Sequence, residues 1–381
     1  MNAQIHSNPE LAYEEFQAHD NIVAFLRRLG FKVTPHAFSV TTSFEAEYGS
    51  GGRVVTFNAE YDALPEIGHA CGHNLIATAS IASFLGLAAA LRKSSIQGRV
   101  RILGTPAEEG GGGKLPLIDA GAFKDVDACL MIHPGPSGLT PPHISGSAYS
   151  TSLANSKINI DFTGKPAHAG MAPWQGVNAL DAVVLAYNGI SMLRQQIQPV
   201  ERIHGVITNG GARPNVTPAR ASLNYYIRAQ SAKDVRALRA RVENCFRGAA
   251  TATGCEVQIT DQNFYYDLRP SKPLCRIYQS AMASLGSNVT CDFDAEPMSG
   301  STDQGNVSYE CPSFHGGFAI PAEKGAYNHT PGFTTAAGSE EAFKRCLLTA
   351  KGMALAGWKV LSDDHVAEEI RRAFEEDKTI G

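Results

Sequence analysis

Residues 54–103 read VVTFNAEYDALPEIGHACGHNLIATASIASFLGLAAALRKSSIQGRVRIL. An apolar run at 54–58 is followed by a long stretch of small and apolar residues at 75–91, which predicts a helix, and by a strand-like run at 100–103. Strand, helix, strand is the crossover unit of a parallel sheet, because the helix carries the chain back so that both strands run the same way. A further strand-like run at 128–132 continues the alternation. In such sheets ligands collect beyond the carboxyl ends of the strands. The polar clusters stand there: Asp62, Glu108, Glu109 and His133 each follow or close a strand.

Upstream, Asn8, Pro9 and Glu10 read as a helix start, with Phe16, Ile22, Val23, Leu26 and Leu29 recurring at helical spacing until Gly30. Downstream the pattern changes at Lys157: an alternating strand at 157–162, a helix at 179–195, two strands around Asn209, Gly210 and Gly211, a helix at 235–249 and a strand at 255–260. That order, βαββαβ, predicts a ferredoxin-like α+β unit. It is an insertion, because helices and a strand-like run at 313–320 follow it. The expected fold is therefore α/β: a mostly parallel-sheet catalytic domain of residues 1–151 and 268–381, interrupted by an inserted domain at 152–267. Candidate linkers are the Gly- and Pro-rich loop 134–142 and the stretch 268–273. No internal repeat is found.

A chain of 381 residues exceeds what one core usually organises, in keeping with two domains. Hydrophobic residues at 43% and charged residues at 18% are those of a globular protein. The net charge of -4 arises from interspersed acids and bases, so neither nucleic acid nor a membrane surface is an expected partner and a small molecule is. The eight cysteines form no CxxC pair, which argues against a disulfide scaffold. No basic and apolar leader and no uninterrupted membrane-length stretch is read, so a cytoplasmic location is expected. Four NxS/T sequons, at Asn215, Asn288, Asn306 and Asn328, carry meaning only in a secreted chain.

Cys71 and His73 stand two apart just before a helix, where a thiolate and an imidazole can face one centre; both suit zinc. Alone, CxH is more often a buried cysteine beside a histidine. Glu108 and Glu109 precede four glycines that let backbone approach closely, and neighbouring acids can divide the work of binding a cation and carrying a proton. Alone, such a pair is as often solvated. His133 closes a strand and His329 lies late in the chain. The set of Cys71, His73, Glu109, His133 and His329 comes from separate strand ends and loops, which suits a catalytic site better than a zinc finger. Asp62 can orient a ligand imidazole, or only cap a loop. In the insertion, His168, Asn215 and Arg228 offer contacts to a carbonyl oxygen and a carboxylate; singly, each reads as a surface group, and Arg228 as the partner of a nearby acid.

HSNPEL (6–11), DALP (62–65), HACGHN (69–74), GTPAEEGGGG (104–113) and GSTDQGNVS (300–308) together resemble the M20 metallopeptidase family over nearly the whole chain. The likeness is to the branch in which a cysteine supplies a metal ligand, which includes hippurate, auxin-conjugate and aminobenzoyl-glutamate hydrolases. The resemblance implies a two-metal domain interrupted by a lid domain that also forms a homodimer. It implies two divalent cations on Cys71, His73, Glu109, His133 and His329: zinc, with manganese or cobalt as alternatives. It makes Glu108 the general base. It places His168, Asn215 and Arg228 on the substrate, the first two across the dimer, with Gly300, Ser301 and Thr302 lining the substrate site. Asn74 stands where many hippurate-branch relatives carry aspartate, which favours a β-alanyl dipeptidase-like subgroup. The chain begins almost at HSNP, so the leading helix is expected to be short or missing.

The function so implied is hydrolysis of an amide bond in a dipeptide or N-acyl amino acid bearing a free carboxylate. Two rivals stand beside it: an N-acyl or aroyl amino acid amidohydrolase, and a catalytically silent ligand-binding dimer.

Overall fold

In the computed structural model, which describes residues 1–380, a seven-stranded sheet is built from β1 (Val33–Pro35), β2 (Phe44–Ser50), β3 (Arg53–Ala59), β4 (Gly98–Gly104), β5 (Ala128–Pro136), β6 (Gly146–Ser147) and, late in the chain, β11 (Ser313–Ile320). Its order is β1-β2-β4-β3-β5-β11-β6. The four central strands are parallel, and the outer pairings, β1 with β2, β2 with β4 and β11 with β6, are antiparallel. Central parallel strands are covered on both faces, and accordingly Val54, Val55, Phe57 and Ala59 of β3 are all buried.

Around this sheet lie α1 (Asn2–Ser7), α2 (Phe16–Arg28), α3 (His73–Arg92), α4 (Lys114–Asp119), α7 (Lys272–Ser284), α8 (Gln304–Glu310), α9 (Pro331–Ala337), α10 (Glu340–Ser362) and α11 (Asp364–Ile380). With β1 to β6 and β11 they form one compact unit: Met1–Thr151, Leu268–Met298 and the chain from Thr302 on. The other unit is Ser152–Asp267 with Ser299–Ser301. It contains β7 (Ala154–Thr163), α5 (Ala179–Leu193), β8 (Arg202–Asn209), β9 (Arg220–Ala229), α6 (Ala232–Thr253) and β10 (Glu256–Tyr265). Its antiparallel sheet has the order β10-β7-β9-β8, and Ile160, Leu223, Val183 and Phe246 meet in its core.

Three readings of the sequence are corrected. The helix does not start at Asn8: α2 begins at Phe16 because the Glu10 carboxylate, eight residues from Ala18, accepts the amides of Gln17 and Ala18 at 2.9 Å each and caps the helix from outside. The loop 134–142 links no domains: β5 runs on to Pro136 in register with Ile320 of β11. Finally, α3 is long and apolar enough by composition to cross a bilayer. It is a core helix instead, with Leu75, Ile76, Ile81, Phe84 and Leu87 buried against the rest of the unit.

Candidate active site

The site is assembled where β3, β4 and β5 end. After β3 the chain runs through Glu60 and Asp62, both buried, and then turns into α3 through Gly72, which has φ 81. A Cβ there would sit 2.6 Å from Cγ of Pro134, so glycine lets the start of α3 press against the end of β5. That approach brings the Cys71 Sγ to 3.3 Å from Nε2 of His133. The Nδ1 of His133 donates to the Pro134 carbonyl at 2.8 Å, which leaves Nε2 as the lone-pair nitrogen facing the thiol.

His73, the first residue of α3, is held the same way: its Nδ1 lies 2.9 Å from Oδ1 of Asp62. Its Nε2 lies 3.6 Å from Oε2 of Glu60 and 3.7 Å from Oε1 of Glu109. The same Glu109 oxygen is 3.4 Å from Nε2 of His329. His329 and Ala107, which flank the site, both hold left-handed backbone, φ 67 and φ 61. The loop carrying Glu108 and Glu109 is pinned at several points. Ala107 N–H donates to Glu15 at 2.9 Å, the Tyr13 hydroxyl donates to the Gly111 carbonyl at 3.0 Å, and the Glu109 amide donates to Oδ2 of Asp62 at 2.9 Å.

Two groups of donors result, Cys71 with His73 and His133, and Cys71 with Glu109 and His329; within each, the donor atoms lie within 4.8 Å of one another. Cys71 is common to both. Among the described residues, Nε2 of His73 and Oε1 of Glu109 are buried without a hydrogen-bond partner. Orphaned buried polar atoms facing one another call for an ion or water between them, and a thiol, three imidazoles and a carboxylate are the donor set of a zinc-like cation. The residues present fit the cation pair.

The electrostatics agree. Burial, reinforced by the Glu109 charge, pushes the Cys71 thiol far above its usual range, so its thiolate forms only beside a cation. Burial, with Glu60, Glu109 and Asp303 adding their charges, raises the Glu108 carboxyl well above the usual carboxylate range. Burial alone would raise Glu109 too, but the His329 imidazole, 3.4 Å away, and the His73 charge outweigh it and hold it low. The surroundings thus act on the two adjacent acids in opposite directions, up for Glu108 and down for Glu109.

Several residues not singled out from the sequence also belong here. Glu60 faces His73, and buried Lys114 and Asp303 stand behind it. Glu60 sits two residues before Asp62, Lys114 directly after the glycine run and Asp303 inside GSTDQGN, but only the fold brings them together. His315 of β11 is wholly buried with its ring 6.1 Å from that of His133; burial and His133 press its pKa down to about 3, so it is neutral.

In the second unit, His168 is exposed and its Nδ1 accepts from the amides of Gly170 and Met171 at 3.2 and 3.1 Å, which leaves the proton on Nε2, a donor with no partner among the described residues. Asn215 is exposed beside it, its carbonyl accepting the Ala169 amide at 3.1 Å. Arg228 bonds Ser301 Oγ at 2.9 Å and His204 at 3.3 Å, and among the described residues it pairs with no carboxylate. Gly300 accepts the Leu153 amide at 3.0 Å. Thr302, in the first unit, is buried and accepts the Gln304 amide at the start of α8.

A mostly parallel α/β unit with donors converging on a shared cysteine beside a buried carboxyl is the architecture of a metal-dependent hydrolase. Residues 56–355 match the model of peptidase family M20/M25/M40. The chain is 43% identical to the Xaa-Arg dipeptidase of Mus musculus over 98% of its own length and 88% of that protein's. It is 34% identical to a p-aminobenzoyl-glutamate hydrolase polypeptide of Escherichia coli over 74% of the chain and 61% of the relative. Among solved structures it superposes on a dinuclear metal-binding peptidase of the M20 family from Bacillus subtilis with a TM-score of 0.69 at 20% identity, covering 95% of this chain and 96% of that one. The chain belongs to the M20 peptidase family, and it is an amide hydrolase of small substrates.

Proposed function

We propose that the protein cleaves dipeptides bearing a free carboxylate, with two cations held by Cys71, His73, Glu109, His133 and His329 and with Glu108 as the general base. The observation that carries this is the pair of donor groups sharing Cys71 beside a carboxyl of raised proton affinity. When bound, the cation pair supplies Lewis acidity to the amide carbonyl and makes water easier to deprotonate. Glu108 takes the proton of the attacking water and delivers it to the leaving nitrogen, so that the acid ends the cycle as it began. Asp62 holds His73 in the tautomer that presents Nε2. The Nε2–H of His168 suits a carbonyl oxygen, and the guanidinium of Arg228, unpaired with any described acid, suits the substrate carboxylate. Gly300, Ser301 and Thr302 complete the substrate side.

Zinc fits the thiolate and imidazoles best, with manganese or cobalt as alternatives. A homodimer through the inserted unit is supported by its edge strand β8, where Val206 and Ile207 are exposed, and by exposed Val184, Leu185 and Tyr187 on α5. Eight free thiols suit a reducing, cytoplasmic setting. The dipeptide reading is supported by the name of the mouse relative; the name of the Escherichia coli relative favours N-acyl or aroyl amino acids instead. Metal analysis of the purified protein, with a panel of β-alanyl and Xaa-Arg dipeptides against acetyl- and aroyl-amino acids, decides between them. Two equivalents of metal and chelator-sensitive dipeptide cleavage are expected; cleavage indifferent to chelation would sink the reading.

A further inference from the structure

The proposed ligand set leaves a carboxylate over. Glu60 is buried with Oε2 3.6 Å from Nε2 of His73, and Glu60, His73 and Glu108 form a third group whose donor atoms lie within 4.8 Å of one another. A carboxylate in that place is a competent ligand for any cation that His73 holds. Were it used, Glu108 would be drawn toward the same ion and lost as a proton carrier.

What restrains Glu60 is a lysine. Lys114 is fully buried, with Nζ 2.5 Å from Oε1 of Glu60 and 2.5 Å from Oδ1 of Asp303. Its own amide donates to the other Asp303 oxygen at 3.0 Å, so Asp303 grips both the backbone and the ammonium. Lys114 also ends the glycine run that starts after Glu109. A buried ammonium is kept only where acids compensate it, and these two acids are kept only where a cation does.

We propose that Lys114 is a positioning residue that withholds Glu60 from the cations, which confines them to the ligands centred on Cys71 and leaves Glu108 uncoordinated. This rests on the two-cation reading above. Without the ammonium, Glu60 and Asp303 are two neighbouring buried carboxylates, and the nearest positive charge left to them is the metal.

The test compares wild type, Lys114→Met and Lys114→Met with Glu60→Gln, reading zinc affinity by chelator competition, metal equivalents, kcat and KM. Lys114→Met should bind zinc about tenfold tighter or take up an extra equivalent, with kcat down about tenfold or more and KM little changed. The double variant removes one charge of each sign, and it should return zinc binding and most of kcat to wild type. Wild-type zinc affinity and equivalents in Lys114→Met, or a double variant no better than the single one, overturns the proposal. Should Lys114→Met fail to fold, the double variant decides alone: two equivalents at wild-type affinity support the proposal and lost binding overturns it. A wild-type protein that holds no metal would instead defeat the underlying two-cation reading.

Discussion

Asp62 and His73 are joined by a 2.9 Å hydrogen bond between Oδ1 and Nδ1, both residues wholly buried. The other oxygen of Asp62 accepts the Glu109 amide at 2.9 Å, so a single carboxylate orients two donors of the site. Partners of this kind set ring orientation and basicity, and their loss typically costs about 10- to 100-fold in metal affinity. Asp62→Asn should lower zinc affinity by that order while leaving far-UV circular dichroism unchanged. An unaltered affinity would show that Asp62 serves the loop alone.

Glu108 is the proton carrier of the proposed reaction and holds no place in either Cys71-centred donor group. Glu108→Gln should therefore retain the cation pair and lose about a hundredfold to ten-thousandfold in kcat. Near-normal turnover with full metal would remove the base from the mechanism.

The four glycines after Glu109 are not equivalent. A Cβ on Gly113 would lie 1.8 Å from the Pro106 carbonyl oxygen, which is backbone and cannot yield, whereas nothing lies within 4 Å of a Cβ on Gly110. Gly113→Ala should push the Glu108 loop out of place and cut both stability and turnover, and Gly110→Ala should leave thermal stability near wild type. Equal behaviour of the two variants would mean that the loop is not packed as described.

Glu15 accepts the amides of Tyr13 and Ala107 and the Thr42 hydroxyl, yet burial, outweighing these bonds, raises its carboxyl to about 7. A carboxyl whose pKa is higher folded than unfolded contributes stability that is complete below its unfolded value, near 4.5, and is lost as pH rises through about 7. Glu15→Gln does not titrate, so the stability difference between variant and wild type should move in favour of the variant across that window. The change is about 1.4 kcal/mol for each pH step of one within it. Denaturant unfolding at pH 4.5, 6 and 8 measures it; a pH-independent difference would contradict the raised pKa.

Arg228 faces no described acid, and its guanidinium is held by Ser301 and His204. Arg228→Met should raise KM for carboxylate-bearing dipeptides by about tenfold or more, as expected when a charge-assisted hydrogen bond is lost, with little change for their amides. The same KM ratio in variant and wild type would place the substrate carboxylate elsewhere.

Local pattern was enough for the broad architecture. The apolar runs of β3, β4 and β5 around the small-residue helix α3 announce a parallel sheet, and the change of period after Lys157 announces the inserted βαββαβ unit, because burial on one or both faces imposes those periods directly. The types and places of the candidate ligands were legible for the same reason, since strand ends are where such a sheet exposes them. What no local pattern holds is distance between remote groups. Glu10 capping α2 from outside, Cys71 standing in two donor groups at once, and Lys114 binding Glu60 and Asp303 all depend on side chains brought together by packing. Those contacts are made only when the cores have closed and buried charges must find partners, and so they belong to the tertiary structure.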